Sequence, residues 1–211
     1  MNTGSQEKRR ISGSIARLSG GLILASGIIF ILLNTISEAL YPNYSVRSNA
    51  LSDLGAVGSP TRLLWDGQLF VVGLLGFLGM FFLFYRDSGF YLGGRRKEVG
   101  IIYLLPPIGS VIVSLFPENF IGVIHLSGAF VAFSFGGISS IYAYRFTALP
   151  FNLFSVILGV LSLAFTVLLG FTPKTDFGLI ERLALYPYII WNISFAAYLI
   201  SFGEGKRSSS S

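Results

Sequence analysis

His125 is the single histidine of the chain, and there is no cysteine. Proton transfer near neutral pH would therefore rest on one imidazole working with carboxylates. Three residues suit acid–base catalysis by type and place: Asp53, set between two leucines, Asp66 at the head of an apolar stretch, and His125 near the head of another. Glu38, Arg47, Glu118, Glu181 and Arg182 are the candidate substrate-binding residues, because ionisable groups beside apolar stretches tend to face a cavity or a partner. Thiolate metal sites, disulfides and thiol nucleophiles are excluded, as is a zinc site needing two or three imidazoles from one chain. No metal ligand set is assigned, although oxygen ligands for calcium or magnesium are plentiful. No residue pattern names a cofactor. Ser52 or Ser127 could complete a serine triad on paper, yet the Gly-x-Ser-x-Gly elbow does not occur. Without a catalytic motif, enzymatic activity stays an open alternative.

The elements that must position these residues are membrane spans. The 211 residues are 53% hydrophobic and 12% charged with a mean hydropathy of +0.70, whereas soluble domains carry roughly 25% charge. Apolar stretches of about 20 residues predict spans at Arg17 to Leu40, Trp65 to Tyr85, Val99 to Phe116, Gly122 to Tyr144, Pro150 to Phe171 and Arg182 to Phe202. The fold class is thus all-α, a polytopic integral membrane protein with a six-helix transmembrane bundle. Residues 17–202 form a single domain, residues 41–64 its one long loop, and 1–16 and 203–211 its tails. The polar ends of those tails are expected to be disordered. Lys8-Arg9-Arg10 with the first apolar run and Ser37-Glu38-Ala39 imitates a signal peptide, but the run exceeds the usual apolar region of about 7 to 15 residues.

Placing the amino terminus in the cytoplasm puts 11 of the 15 Lys and Arg residues on the cytoplasmic side and leaves Arg47, Arg62, Lys174 and Arg182 opposite. This is the bias that orients membrane proteins. It predicts a multi-pass protein of the cell membrane with both termini cytoplasmic and the long loop extracytoplasmic. The sequence pI near 9.6 is then a property of topology. No nucleic-acid partner is expected, since no basic stretch is interleaved with stacking aromatics in a soluble module.

Helical spacing gathers polar groups toward the extracytoplasmic halves. Glu38 lies one turn above Asn34. Glu118, Ser114 and Ser110 form one stripe; His125 stands over Gly128, Ala132 and Gly136; Glu181, Tyr188 and Asn192 share a face; and Asp66 stands above Gly73. These stripes predict a polar pocket at that end of the bundle. Interfacial placement of each charge at headgroups or a helix start is the plainer alternative. The stretch Phe116-Pro-Glu-Asn-Phe-Ile-Gly-Val-Ile-His125 also runs parallel to Thr172-Pro-Lys-Thr-Asp-Phe-Gly-Leu-Ile-Glu181. Proline stopping a helix and glycine freeing a turn would suffice for this; a duplicated hairpin is the alternative reading.

In the long loop, Ser48 or Ser52 could cap a turn and Ser59-Pro60 could start a helix, which leaves Asp53 and Arg47 without a structural reason. Asn43-Tyr44-Ser45 is a glycosylation sequon there. Pro42 with Leu51-Ser-Asp-Leu-Gly55, Phe116-Pro117 followed by His125, and Gly178-Leu-Ile-Glu-Arg182 with Trp191 resemble the prokaryotic six-span family called domain of unknown function 998 over nearly the whole chain. More distantly, Ser52-Asp53-x-Gly55 resembles the corresponding loop of eukaryotic DRAM, Frag and Sfk-like membrane proteins. That likeness implies a link to lipid-anchor remodelling. Three functions are expected to compete: binding or remodelling a lipid or lipid anchor at the extracytoplasmic leaflet, with membrane lipids as partners; a non-catalytic assembly subunit; and a small transporter. The assembly reading would use a second copy or another membrane protein packed on the Gly73, Gly76 and Gly79 face or the Gly128 and Gly136 face. Transport would use the Pro106-Pro107 break, although the middles of all six spans lack charge.

Overall fold

The computed structural model describes residues 3–86 and 96–208. Six helices carry the chain: α1 (Thr3–Leu40), α2 (Arg62–Tyr85), α3 (Arg96–Leu115), α4 (Gly122–Tyr142), α5 (Phe151–Leu169) and α6 (Phe177–Ser208). Each contains a segment long and apolar enough to cross a membrane, which makes this a multi-pass membrane protein. Among the described residues there is no strand. The expected spans lie within a few residues of these helices, with two differences. Helix α1 is already helical at Thr3 and α6 continues to Ser208, into tail residues expected to be disordered, because extending an existing helix needs no new nucleus. Helix α6 also begins at Phe177, so Glu181 and Arg182 sit within the helix and not at its first residue.

Each helix packs against its neighbours in sequence, and α6 closes the ring on α1. Helix α4 also touches α6, which leaves α5 on the outside, with 17% of its span buried against 50% for α6. Glycines let these helices approach. A Cβ at Gly73 would lie 2.8 Å from the Pro107 carbonyl, one at Gly128 3.1 Å from the Gly109 carbonyl, and one at Gly136 against the Tyr188 ring. Gly76 faces Pro107 and Gly79 faces Ile23. The glycine faces expected to receive a partner are thus occupied inside the bundle.

At the end away from the long loop an aromatic cluster fills the interior. Trp191 stacks on Phe195 at 4.9 Å, Phe84 packs on Tyr103 at 4.7 Å, and Phe146 and Phe151 extend the cluster. Its buried polar atoms are bonded, Tyr103 to the Ser139 carbonyl at 2.7 Å and Trp191 Nε1 to Ser155 at 3.0 Å. Burying such rings is favourable only with those polar atoms satisfied.

The other end is capped by the chain between α1 and α2. It folds back over the bundle and inserts Leu51 and Leu54, both fully buried, around a 3₁₀ turn at Ser52–Gly55. Backbone hydrogen bonds to the α3–α4 connection and to α6 help to hold it. Val57 and Asn119 exchange backbone–amide hydrogen bonds at 2.8 and 3.1 Å, and the Leu179 amide donates to the Arg47 carbonyl at 3.0 Å. The loop rests so closely on α6 that a Cβ at Gly178 would overlap the Asn49 carbonyl. Asn43 takes φ 60°, a left-handed conformation that asparagine tolerates better than most residues.

Candidate functional site

The parallel stretches at residues 116–125 and 172–181 fold alike. In each, the residue three past the proline donates to the proline carbonyl, Phe120 to Pro117 and Asp176 to Pro173, both at 3.1 Å, and a helix follows. The last residues of the two stretches, His125 and Glu181, both line one cavity between α1, α2, α3, α4 and α6, in which the centres of water-sized molecules have about 70 Å³ open to them. Proline-started turns explain the local likeness, and the ring of helices turns it into two groups on one cavity wall.

The cavity is polar at the loop end, with Ser52, His125 and Glu181, and apolar along its length through Phe30, Leu69, Val113 and Leu185. It ends near Ser26, Tyr188 and Asn192, beside the aromatic cluster. From Glu181 to Asn192 is about 16 Å along a helix axis, so the space is long and narrow. Asn192 is 5% exposed and its Oδ1 has no partner. Gln68, also buried, leaves both amide atoms unpartnered.

Two polar networks form the loop end. In the first, Arg182 is saturated. It donates to Glu38 Oε1 at 2.8 and 3.2 Å, to Tyr44 Oη at 2.7 Å, and to the carbonyls of Val46, Asn49 and Gly178 at 3.1, 3.2 and 2.8 Å. Glu38 Oε1 also accepts from Asn34 at 2.9 Å, and Asn34 Oδ1 accepts from Trp65 Nε1 at 3.3 Å. Burial pushes the Tyr44 hydroxyl pKa up, and the adjoining Arg182 opposes that rise.

In the second network, Glu181 Oε2 accepts the Leu51 amide at 2.5 Å, and Ser52 Oγ donates to Glu118 Oε2 at 2.5 Å. His125 Nδ1 meets the Phe116 carbonyl at 2.9 Å. Glu118 is held above its ordinary carboxylate value, first by burial and then by the nearby Asp53, against the opposing pull of Ser52 and His125. Asp53 is itself engaged, accepting from Asn49 Nδ2 at 2.8 Å and the Ala50 amide at 3.0 Å.

Of the three candidate catalytic residues, only His125 reaches the cavity wall. Asp53 braces the loop behind Glu118, and Asp66 pairs with Arg62 at 3.4 Å under Gly55. Of the candidate binding residues, Glu181 lines the cavity, Glu118 backs Ser52, and Glu38 with Arg182 fastens the loop. Arg47 stands outside, 73% exposed and paired with Asp176 at 2.6 Å; that contact lowers the Asp176 pKa. Among the described residues no group of three or more His, Cys, Asp or Glu side chains is placed to hold a metal ion. Residues outside the candidate set matter as much. Ser52 carried a signal as a cap or nucleophile and Asn192 as a member of the Glu181 face, whereas Tyr44 stood out only inside the sequon and Trp65 only as the start of a span.

No curated protein and no solved structure matches the chain. One family does, over residues 24–198, a stretch that includes the loop, both polar networks and every wall of the cavity. The chain belongs to the family described as Protein of unknown function (DUF998).

Proposed function

We propose that this protein binds one hydrocarbon chain of a membrane lipid or lipid anchor in its intramembrane cavity, with the polar head at the loop end. The observation that carries this reading is the cavity: a narrow apolar space about 16 Å deep whose ionisable wall groups, His125 and Glu181, sit together at one end. An amphiphile has that same division. The long, narrow shape suits a single chain better than a pair. The loop end is assigned to the extracytoplasmic leaflet of the cell membrane, with both termini cytoplasmic, because by sequence 11 of the 15 basic residues belong to the tails and connections of the other side. Binding is favoured over catalysis because Asp53 is held by loop contacts, Asp66 pairs with Arg62 on its own helix, and neither lines the cavity. It is favoured over an assembly role because the glycine faces are already filled within the chain.

The test is mass analysis of lipids that stay with the full-length protein through purification in nanodiscs, for wild type and for Ala129→Phe, which puts a ring into the cavity. A single-chain species held by wild type and lost from a folded Ala129→Phe supports the reading. Equal lipid content in the two proteins overturns it.

A further inference from the structure

We infer that the head bound at the loop end of this cavity is a primary ammonium, making the ligand an amine-headed, single-chain lipid. This rests on the amphiphile-binding reading above and specifies its chemistry.

The three polar wall groups at the loop end have their hydrogens already committed. The Ser52 hydroxyl donates to Glu118, so only its lone pairs remain for a ligand. The Phe116 carbonyl can only accept, so His125 Nδ1 carries a proton, and a ring bearing that proton alone presents a lone pair at Nε2. Nε2 has no protein partner among the described residues. As a carboxylate, Glu181 accepts through both oxygens; Oε2 takes the Leu51 amide, and Oε1 has no partner among the described residues. With Glu181 ionised and His125 carrying its Nδ1 proton alone, the loop end of the wall offers acceptors and no donor.

Charge narrows the choice further. The nearest strong cation, Arg182, has a side chain 5% exposed and spends its donors on Glu38, Tyr44 and three carbonyls. It does not line the cavity. A phosphate or carboxylate head would bring its negative charge to a carboxylate and two lone pairs at low dielectric, with nothing to donate to it. A hydroxyl supplies one hydrogen for three acceptors. A primary ammonium supplies three hydrogens and the complementary charge.

The far end of the cavity sets the length of the tail. Asn192, 95% buried on the cavity wall, leaves Oδ1 unpartnered. Its depth below Glu181 matches a chain of about dodecyl length.

The experiment uses the full chain in phosphatidylcholine nanodiscs and follows tryptophan emission, because Trp65 lines the cavity. The probes share a dodecyl tail: dodecylamine, dodecyltrimethylammonium, dodecanol, dodecanoate and dodecyl phosphate. A saturable change that Ala129→Phe abolishes, with dodecylamine at least about tenfold tighter than every other probe, supports the inference. Loss of about tenfold in dodecylamine affinity in Glu181→Gln supports it further; if that variant does not fold, the probe series on wild type decides alone. Dodecanoate or dodecyl phosphate binding as tightly as dodecylamine overturns the ammonium head and leaves the amphiphile reading standing. Dodecyltrimethylammonium matching dodecylamine overturns the three-donor argument. If no probe gives a saturable change sensitive to Ala129→Phe, the amphiphile reading falls as well.

Discussion

Glu181 and Arg182 are neighbours in sequence on α6 and belong to opposite kinds of site. Arg182 meets a carboxylate, a phenol and three carbonyls, and it fastens the loop to the helices. Glu181 makes one contact with the loop and otherwise faces the cavity, where His125 and Ser52 also present unfilled acceptors. A saturated charge is architecture, since every partner it has comes from the chain itself. An unsaturated wall needs something the chain does not supply. The two networks should therefore fail differently when broken.

The largest effect is expected from the saturated side. Arg182→Met leaves Glu38 largely buried without its cation and releases three carbonyls, and breaking such a buried pair costs about 3 kcal/mol or more. Thermal unfolding of the purified variant should begin well below wild type, with much reduced folded yield. Arg182→Lys should recover little, because an ammonium cannot reproduce the fork that reaches Glu38, Tyr44 and the carbonyls together. A variant as stable as wild type would remove Arg182 from the architectural role.

Glu181→Gln gives the contrasting result. The amide oxygen still accepts from Leu51, so stability should change by no more than about 1 kcal/mol, while retention of the bound amphiphile falls by about tenfold. Unfolding and lipid content measured on one preparation separate the two effects. Asn192→Leu sharpens the comparison from the far end of the cavity. It removes an unpaired polar group, so the empty protein should be unchanged or more stable by about 1 kcal/mol, whereas loss of a satisfied hydrogen bond would lower it. A clear drop in unfolding temperature would mean that Asn192 is already bonded within the bundle.

What the sequence disclosed follows the same division. The six spans were legible because about 20 apolar residues have few other uses. The face shared by Glu181, Tyr188 and Asn192 and the one under His125 were legible because helical periodicity fixes which residues align. From those faces Glu181, Tyr188, Asn192, His125 and Ala132 line the cavity, while Gly128 and Gly136 pack against neighbouring helices. The loop was not legible, since its buried residues Leu51 and Leu54 follow no period and its anchors are long-range. Nothing near Arg182 signals that it will reach carbonyls at Val46 and Asn49, about 130 positions earlier. Asp53 drew attention for want of a structural reason, and its bonds to Asn49 and Ala50 supply one. The glycine faces were visible, but composition could not say whether another chain or the same chain would fill them.

The smallest expected effect lies in two acids on the connections at the loop end, whose shifts run in opposite directions. Glu118, behind Ser52 on the unsaturated side, is raised chiefly by burial. The fold therefore favours its protonated form, and its support for the native state is present below the ordinary glutamate range and fades as pH rises through the raised value. Asp176, at the rim of the saturated side, is lowered by the hydrogen bond from Arg47. Its support is present above the ordinary aspartate range and is lost as pH falls through the lowered value. Exposure and salt screening keep the Asp176 effect slight. Unfolding temperatures of Glu118→Gln and Asp176→Asn, each referred to wild type from acid to neutral pH, should diverge accordingly. Glu118→Gln gains on wild type as pH rises, since it avoids ionising a buried carboxyl. Asp176→Asn falls slightly below wild type at neutral pH and rejoins it in acid. If both differences moved the same way with pH, the two acids would share one environment, and the division between a saturated and an unsaturated network would end short of the connections.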